Sequence, residues 1–134
     1  MRHLLGGLIQ APHPITIVDM EAGLEHLSRG TARHVDTLLV ILEPYYKALE
    51  TARQAAQLGR DLGVQRILGV ANKIRDDADA AAVREFAQSH GIPLVAEVPL
   101  DDRIRKADLA GRAPIDVPES PAVVAIAALA ATLV

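Results

Sequence analysis

The first candidate chemistry lies where an apolar run meets an acidic residue. Asp19 directly follows the run Ile-Thr-Ile-Val at residues 15–18, and Gly23 stands shortly after it. A carboxylate at the end of a strand can hold Mg²⁺ through a water molecule, and a glycine allows the backbone to approach a terminal phosphate. The pattern predicts a catalytic, magnesium-binding role for Asp19. The competing interpretation is that Asp19 only caps a following helix.

A second candidate is the pair Asn72-Lys73, which follows another apolar run. An Asn amide can donate to and accept from the edge of a purine, and a Lys stem can lie along the face of the base. Sites that choose guanine carry an Asp two places beyond the Lys, and Arg75 holds that place here. The pair therefore indicates adenine. The alternative is a polar turn without a ligand.

The elements that must position these residues follow from the apolar pattern. Nearly continuous apolar runs, typical of strands covered on both faces, lie at residues 15–19, 37–42, 66–71 and 94–98. Segments with helical spacing lie at residues 47–62, 79–90, 101–110 and 121–133. Alternating strands and helices predict an α/β fold, with a single open, mainly parallel four-stranded sheet and flanking helices. Residues 1–134 are expected to form one domain.

In an open parallel sheet, ligands bind beyond the carboxyl ends of the strands. The polar residues of this chain fall at such ends, namely at Asp19, Glu43, Asn72 and the turn Pro99-Leu100-Asp101. The predicted fold therefore brings the candidate residues to one edge of the sheet.

Composition excludes several classes of protein. The net charge of −3 and the scattered Lys and Arg residues argue against a nucleic-acid partner. The chain has no cysteine, so it has neither disulfides nor a thiolate metal site, which fits a cytoplasmic protein. The apolar run at residues 122–134 is shorter than the roughly 20 residues of a membrane span, and the first residues do not resemble a signal peptide. We therefore expect no membrane association.

The stretch VDMEAGLEHLSRGTARHVDTLLVILEP resembles the nickel-inserting accessory ATPases of carbon monoxide dehydrogenase, a branch of the MinD-like deviant Walker-A P-loop family. The later stretches DLGVQRILGVANKIR and IPLVAEVPLDDRIRKADLAGR continue the resemblance in the family's order. The resemblance runs from residue 15 to about residue 114 and corresponds to the C-terminal half of the family.

The resemblance implies a role for each matching residue. Asp19 matches the Walker-B aspartate that serves Mg²⁺, and Gly23 matches the switch glycine near the terminal phosphate. Asn72 with Lys73 matches the pair that contacts adenine. Pro99 and Asp101 lie on the loop that lines the base. The cofactors implied are ATP and Mg²⁺, and the partners implied are a second copy in a homodimer and an apo-metalloenzyme client that receives nickel.

Two departures from the family bear on activity. The family's glycine-rich GKGGxGKT-like P-loop has no counterpart, because no Gly-Lys pair occurs and the residues before Asp19 are too few for a strand, loop and helix. The family's nickel-binding Cys-x-Cys is also absent, so no nickel site is expected. This polypeptide is therefore expected not to hydrolyse ATP by itself.

Three hypotheses remain from the sequence. In the first, the chain is part of a metallocentre-maturation ATPase and keeps the side of the site that binds the base and magnesium. In the second, it is a nucleotide-free interaction module that docks on a full-length paralogue or client. In the third, it is one half of a two-chain ATPase whose partner supplies the P-loop. In the family the P-loop strand lies between the strands at residues 15–19 and 37–42 of this chain. We therefore expect those two strands to pair directly or a partner chain to fill the gap.

Overall fold

Three strands and four helices alternate along the part of the chain that the structure describes. The structure is a computed structural model, and it describes residues 15–20 and 34–133. The elements are β1 (Thr37–Leu42), α1 (Tyr46–Asp61), β2 (Arg66–Ile74), α2 (Asp77–Ser89), β3 (Leu94–Pro99), α3 (Asp102–Leu109), a 3-10 turn (Pro114–Asp116) and α4 (Pro121–Leu133). This order confirms the α/β class.

The sheet is parallel, with the strand order β1-β2-β3. β1 pairs with β2 in continuous register from Thr37 opposite Arg66 to Leu42 opposite Ala71. β3 pairs with the other side of β2, with irregularities before Val70 and after Ala71. The described sheet therefore has three strands, and the prediction of four was wrong. β2 also continues to Ile74, so Asn72 and Lys73 belong to the end of the strand.

The fourth predicted strand is not formed. Residues 15–20 have no regular secondary structure, and Ile17 is 89% exposed. Their predicted direct pairing with β1 was also wrong, because the described sheet contains only the three later strands. An apolar run becomes a strand only where a neighbouring edge pairs its N–H and C=O groups, and residues 15–20 pair with none of the three described strands. That a partner chain fills the gap stays a prediction.

Helices α1 and α2 cover one face of the sheet. Val40 and Leu42 of β1 and Ala71 of β2 point to this face, where small residues of the helices let the layers approach closely. Gly59 of α1 is an example, because a Cβ there would lie 2.8 Å from Leu38 Cδ2. The two helices end as the sequence predicts. Gly63 and Gly91 follow them in the left-handed conformation, with φ of 81° and 62°.

Helix α4 covers the opposite face. Ala122 and Leu129 of α4 pack on Val70 and Val98, which completes a three-layer arrangement. The cover is incomplete at β1, where Ile41 remains 49% exposed. Among the residues that the structure describes, no helix is long and apolar enough to cross a bilayer.

Candidate functional site

The carboxyl ends of the three strands form the candidate site. Because Leu42 lies opposite Ala71 in the β1–β2 register, the next residues, Glu43 after β1 and Asn72 near the end of β2, lie side by side. The backbone N–H of Leu100 donates to the Ile74 carbonyl at 2.9 Å, so the loop after β3 lies against the end of β2. The structure thus brings Asn72, Lys73 and the loop from Pro99 to Asp101 to one edge, as expected.

Glu43 is the centre of a small polar cluster. Lys73 Nζ lies 2.9 Å from Glu43 Oε1, and Asn72 Nδ2 donates to the same oxygen at 3.5 Å. The Glu43 side chain is 24% exposed and that of Lys73 is 51% exposed. The hydrogen bond to Glu43 and then its negative charge raise the pKa of Lys73. Sequence reasoning placed Glu43 at a strand end but did not include it among the binding residues.

The orientation of the Asn72 amide follows from this contact. If the amide were turned over, its Oδ1 would face the Glu43 carboxylate, and two acceptors would repel each other. Nδ2 is therefore the atom that faces Glu43. No donor within residues 15–20 and 34–133 bonds to Oδ1, so the described site presents a hydrogen-bond acceptor at this point.

The backbone at Lys73 is unusual. Its φ is 57°, in the left-handed region that residues with a Cβ adopt rarely. Such conformations cost about 1–3 kcal/mol and concentrate at ligand sites, where the surrounding structure holds them. Here the ion pair to Glu43 and the bond from Leu100 to the next residue, Ile74, hold the turn on both sides.

Arg75 forms an ion pair with Asp79 beside the candidate site. Its Nε and Nη2 donate to the two Asp79 oxygens at 2.6 and 2.8 Å, and its guanidinium lies 5.8 Å from the centre of the Tyr45 ring. Hydrogen bonding from Arg75 lowers the pKa of Asp79. The position two places beyond Lys73 thus carries a cation, and it offers no carboxylate to the amines of guanine.

Asp101 is held by contacts within the protein. Its Oδ1 accepts the backbone N–H of Arg103 at 2.9 Å and caps α3, while its Oδ2 accepts the hydroxyl of Ser120 at 2.6 Å. The bond from Ser120, then that from Arg103, lowers the pKa of Asp101. Ser120 is fully buried, and its carbonyl and hydroxyl accept the N–H groups of Val124 and Val123 at the start of α4. Asp101 therefore joins the loop after β3 to α4.

Removing the Ser120 hydroxyl should weaken this junction. We expect Ser120→Ala to lower the free energy of unfolding by about 1 kcal/mol at pH 7, since it removes a helix cap and a buried hydrogen bond. The lowered pKa of Asp101 stabilises the fold above the ordinary aspartate pKa of about 3.9, and this contribution is lost as the pH falls through the folded value.

The variant should therefore lose less stability than the wild type during acidification below about pH 4. Urea denaturation across that range measures the difference. Ser89→Ala is the matched control, because the exposed Ser89 hydroxyl contacts the Phe86 carbonyl at 2.9 Å and His90 Nδ1 at 3.3 Å but no carboxylate. Equal acid sensitivity in Ser120→Ala and the wild type would show that Ser120 does not control Asp101.

The structure does not add Asp19 to this cluster. Asp19 is exposed in the irregular stretch at residues 15–20 and does not end a strand, and Gly23 lies outside the described residues. Within the described ranges, no three or more His, Asp or Glu side chains form a group that could hold a metal ion. The magnesium role of Asp19 and the phosphate role of Gly23 remain predictions.

Comparisons with known proteins identify the family and the fold of the chain. No protein-family profile matches the chain. It is 37% identical over 122 residues to the carbon monoxide dehydrogenase accessory protein CooC of Rhodospirillum rubrum, covering 91% of this chain and 45% of that protein. It is 33% identical to an uncharacterised ATP-binding protein of Methanocaldococcus jannaschii, covering 84% of this chain and 44% of that protein. The chain thus spans about half the length of these relatives.

A solved structure with the same fold is the MinD cell division protein of Aquifex aeolicus. It aligns with a TM-score of 0.69 over 83% of this chain and 49% of MinD, at 16% sequence identity. At that identity the likeness concerns the fold alone, and it agrees with a parallel sheet between helical layers. From the sequence similarity and the fold together, the chain belongs to the CooC-type branch of the MinD-like family.

Proposed function

We propose that this chain forms the base-binding side of an ATP site in a CooC-type maturation protein. The observation that carries the proposal is the cluster of Asn72, Lys73 and Glu43 at the carboxyl edge of the sheet. The ATP-binding relative of similar sequence supports the choice of nucleotide. The loop from Pro99 to Asp101, held against Ile74, would form the wall beside the base.

The residues at this edge suit adenine. Asn72 offers the acceptor Oδ1, which matches the exocyclic amine of adenine, and Leu100 is 56% exposed beside the end of β2. An apolar side chain next to a single oriented acceptor is the usual composition of a small-molecule site. In this proposal Asp101 acts indirectly, because its side chain is occupied by Arg103 and Ser120.

The P-loop that should grip the phosphates has no counterpart in this sequence. Asp19 and Gly23 would serve Mg²⁺ and the terminal phosphate, but no Gly-Lys pair is present to form a P-loop. Bound ATP would supply the phosphoryl group whose hydrolysis drives the cycle of such proteins. A P-loop-bearing partner chain would supply the missing half, because a second copy of this chain in a homodimer would bring no Gly-Lys pair either.

The biological role we propose is assistance of nickel insertion into carbon monoxide dehydrogenase. The similarity to the carbon monoxide dehydrogenase accessory protein supports this role, with an apo-metalloenzyme as the client. Nickel would be cargo of the complex, since this chain has no cysteine to bind it as a thiolate.

Adenosine, which lacks phosphates, tests the base-binding side by itself. Titration of the ¹⁵N-labelled chain with adenosine should shift the Asn72 side-chain amide signal, with a dissociation constant in the millimolar range. We expect Asn72→Ala to weaken binding about tenfold, because it removes the one acceptor for the adenine amine.

Gln65→Ala provides the matched control for this titration. It also removes an exposed side-chain amide, but Gln65 precedes β2 at the opposite edge of the sheet and donates to Gly63. Binding by this control should equal that of the wild type. If saturating adenosine left every signal at the carboxyl edge unchanged, the proposal would be wrong.

The alternative function is a nucleotide-free interaction module. Among the described strands β1 pairs only with β2, and Ile41 is 49% exposed, which favours this alternative since unpaired strand edges and exposed apolar residues promote association. This alternative predicts no response to adenosine together with binding to a full-length paralogue or to the client enzyme.

A further inference from the structure

We propose that Glu43 determines purine choice, by holding the Asn72 amide so that it accepts from 6-amino purines and rejects 6-oxo purines. This inference rests on the proposed function, because it concerns the same base-binding edge. It goes further in assigning a role to a residue that does not itself contact the base.

The Glu43 carboxylate is shared by two donors. Asn72 Nδ2 and Lys73 Nζ both approach Oε1, at 3.5 and 2.9 Å. The ion pair with Lys73 restrains this oxygen, and the Glu43 side chain that carries it is only 24% exposed. Asn72 therefore meets a restrained acceptor.

Because Glu43 Oε1 is a restrained acceptor, it leaves the Asn72 amide one favourable orientation. The Glu43 side chain is only 24% exposed, so water cannot fully screen the repulsion that a reversed amide would suffer. Without a neighbouring charge, an Asn amide can turn over and offer either a donor or an acceptor to its ligand. With Glu43 in place, Asn72 offers an acceptor.

The group at position 6 of a purine determines whether the base can pair with this acceptor. Adenine carries an amine at position 6, which donates, whereas hypoxanthine and guanine carry an oxygen there, which accepts. An acceptor held at Oδ1 therefore favours adenine and repels the 6-oxo bases. A site that presents a fixed hydrogen-bonding group discriminates against a ligand that cannot pair with it.

The experiment compares adenosine with inosine, which has the 6-oxo base without the 2-amine of guanosine. The wild-type chain should bind adenosine about tenfold more tightly than inosine in NMR titrations of the Asn72 side-chain signal. In Glu43→Ala no side-chain acceptor remains beside Asn72 Nδ2, so the Asn72 amide can turn over. The preference should fall to about twofold or less.

Both nucleosides are uncharged, so the ratio of their dissociation constants is insensitive to the loss of charge at position 43. If Glu43 had only a structural role, its replacement would weaken the binding of adenosine and inosine equally and leave the ratio of their dissociation constants unchanged. Glu43→Asp serves as a second variant, because the shorter side chain withdraws the carboxylate without removing its charge, and it should also reduce the preference. Glu50→Gln is the control, since Glu50 pairs with Arg53 on α1 and should keep the wild-type ratio.

The results of these titrations distinguish the role of Glu43 from the existence of the base-binding site. A wild-type preference for adenosine that persists in both Glu43 variants would overturn the role of Glu43 and leave the base site intact. A wild-type chain that binds neither nucleoside would overturn the proposed base site itself, and the role of Glu43 with it.

Discussion

The purified 134-residue polypeptide is expected to bind Mg·ATP no more tightly than the millimolar range and to hydrolyse none. A P-loop supplies several backbone N–H donors and a lysine, and each hydrogen bond to a charged group contributes roughly 1.5–3 kcal/mol. The sequence contains no Gly-Lys pair from which such a loop could be built. Without three of these bonds, affinity falls by about 5–9 kcal/mol, which moves a micromolar site beyond millimolar.

Calorimetry with Mg·ATP and the melting temperature of the chain with and without Mg·ATP measure this effect. Adenosine serves as the comparison, because the proposed site should give both ligands similar millimolar constants if only the base is held. Addition of a P-loop-bearing family member should strengthen ATP binding if the two halves combine. Micromolar uptake of Mg·ATP by the polypeptide alone would contradict our account of the missing phosphate contacts.

Leu42→Ala is expected to destabilise the chain by about 2–5 kcal/mol, a large part of the 5–15 kcal/mol that usually holds a domain folded. Leu42 is fully buried in the layer between the sheet and helices α1 and α2, where truncation leaves a cavity. Because Glu43 follows it directly, the same change should loosen the base-binding edge. Urea denaturation gives the change in the free energy of unfolding from the shift in midpoint.

The neighbouring variant Ile41→Ala is the control for Leu42→Ala. Ile41 is of similar size and lies on the same strand, but it points to the other face and is 49% exposed. Its truncation should cost about 1 kcal/mol or less, because much of the side chain already contacts water. If the two variants lost similar amounts of unfolding free energy, the layer covered by α1 and α2 would not be the main core.

The ends of two helices and the positions of two strands could be predicted from local pattern. Helical spacing followed by Gly63 and Gly91 located the ends of α1 and α2 to within a residue or two, since a left-handed glycine stops a helix whatever surrounds it. The continuous apolar runs likewise located β1 and β3. These signals are local because a helix bonds within itself and a buried strand must be apolar.

What the sequence by itself determined is the α/β order, the family resemblance and the polar residues at strand ends. Only the tertiary structure decided which of those residues act together. The parallel register of β1 and β2 set Glu43 beside Asn72, although 29 residues separate them in the chain. The same requirement for a partner explains why residues 15–19 were wrongly expected to form a strand. An apolar run shows that a segment can be buried in a sheet, but only a neighbouring edge supplies the hydrogen bonds that make it a strand.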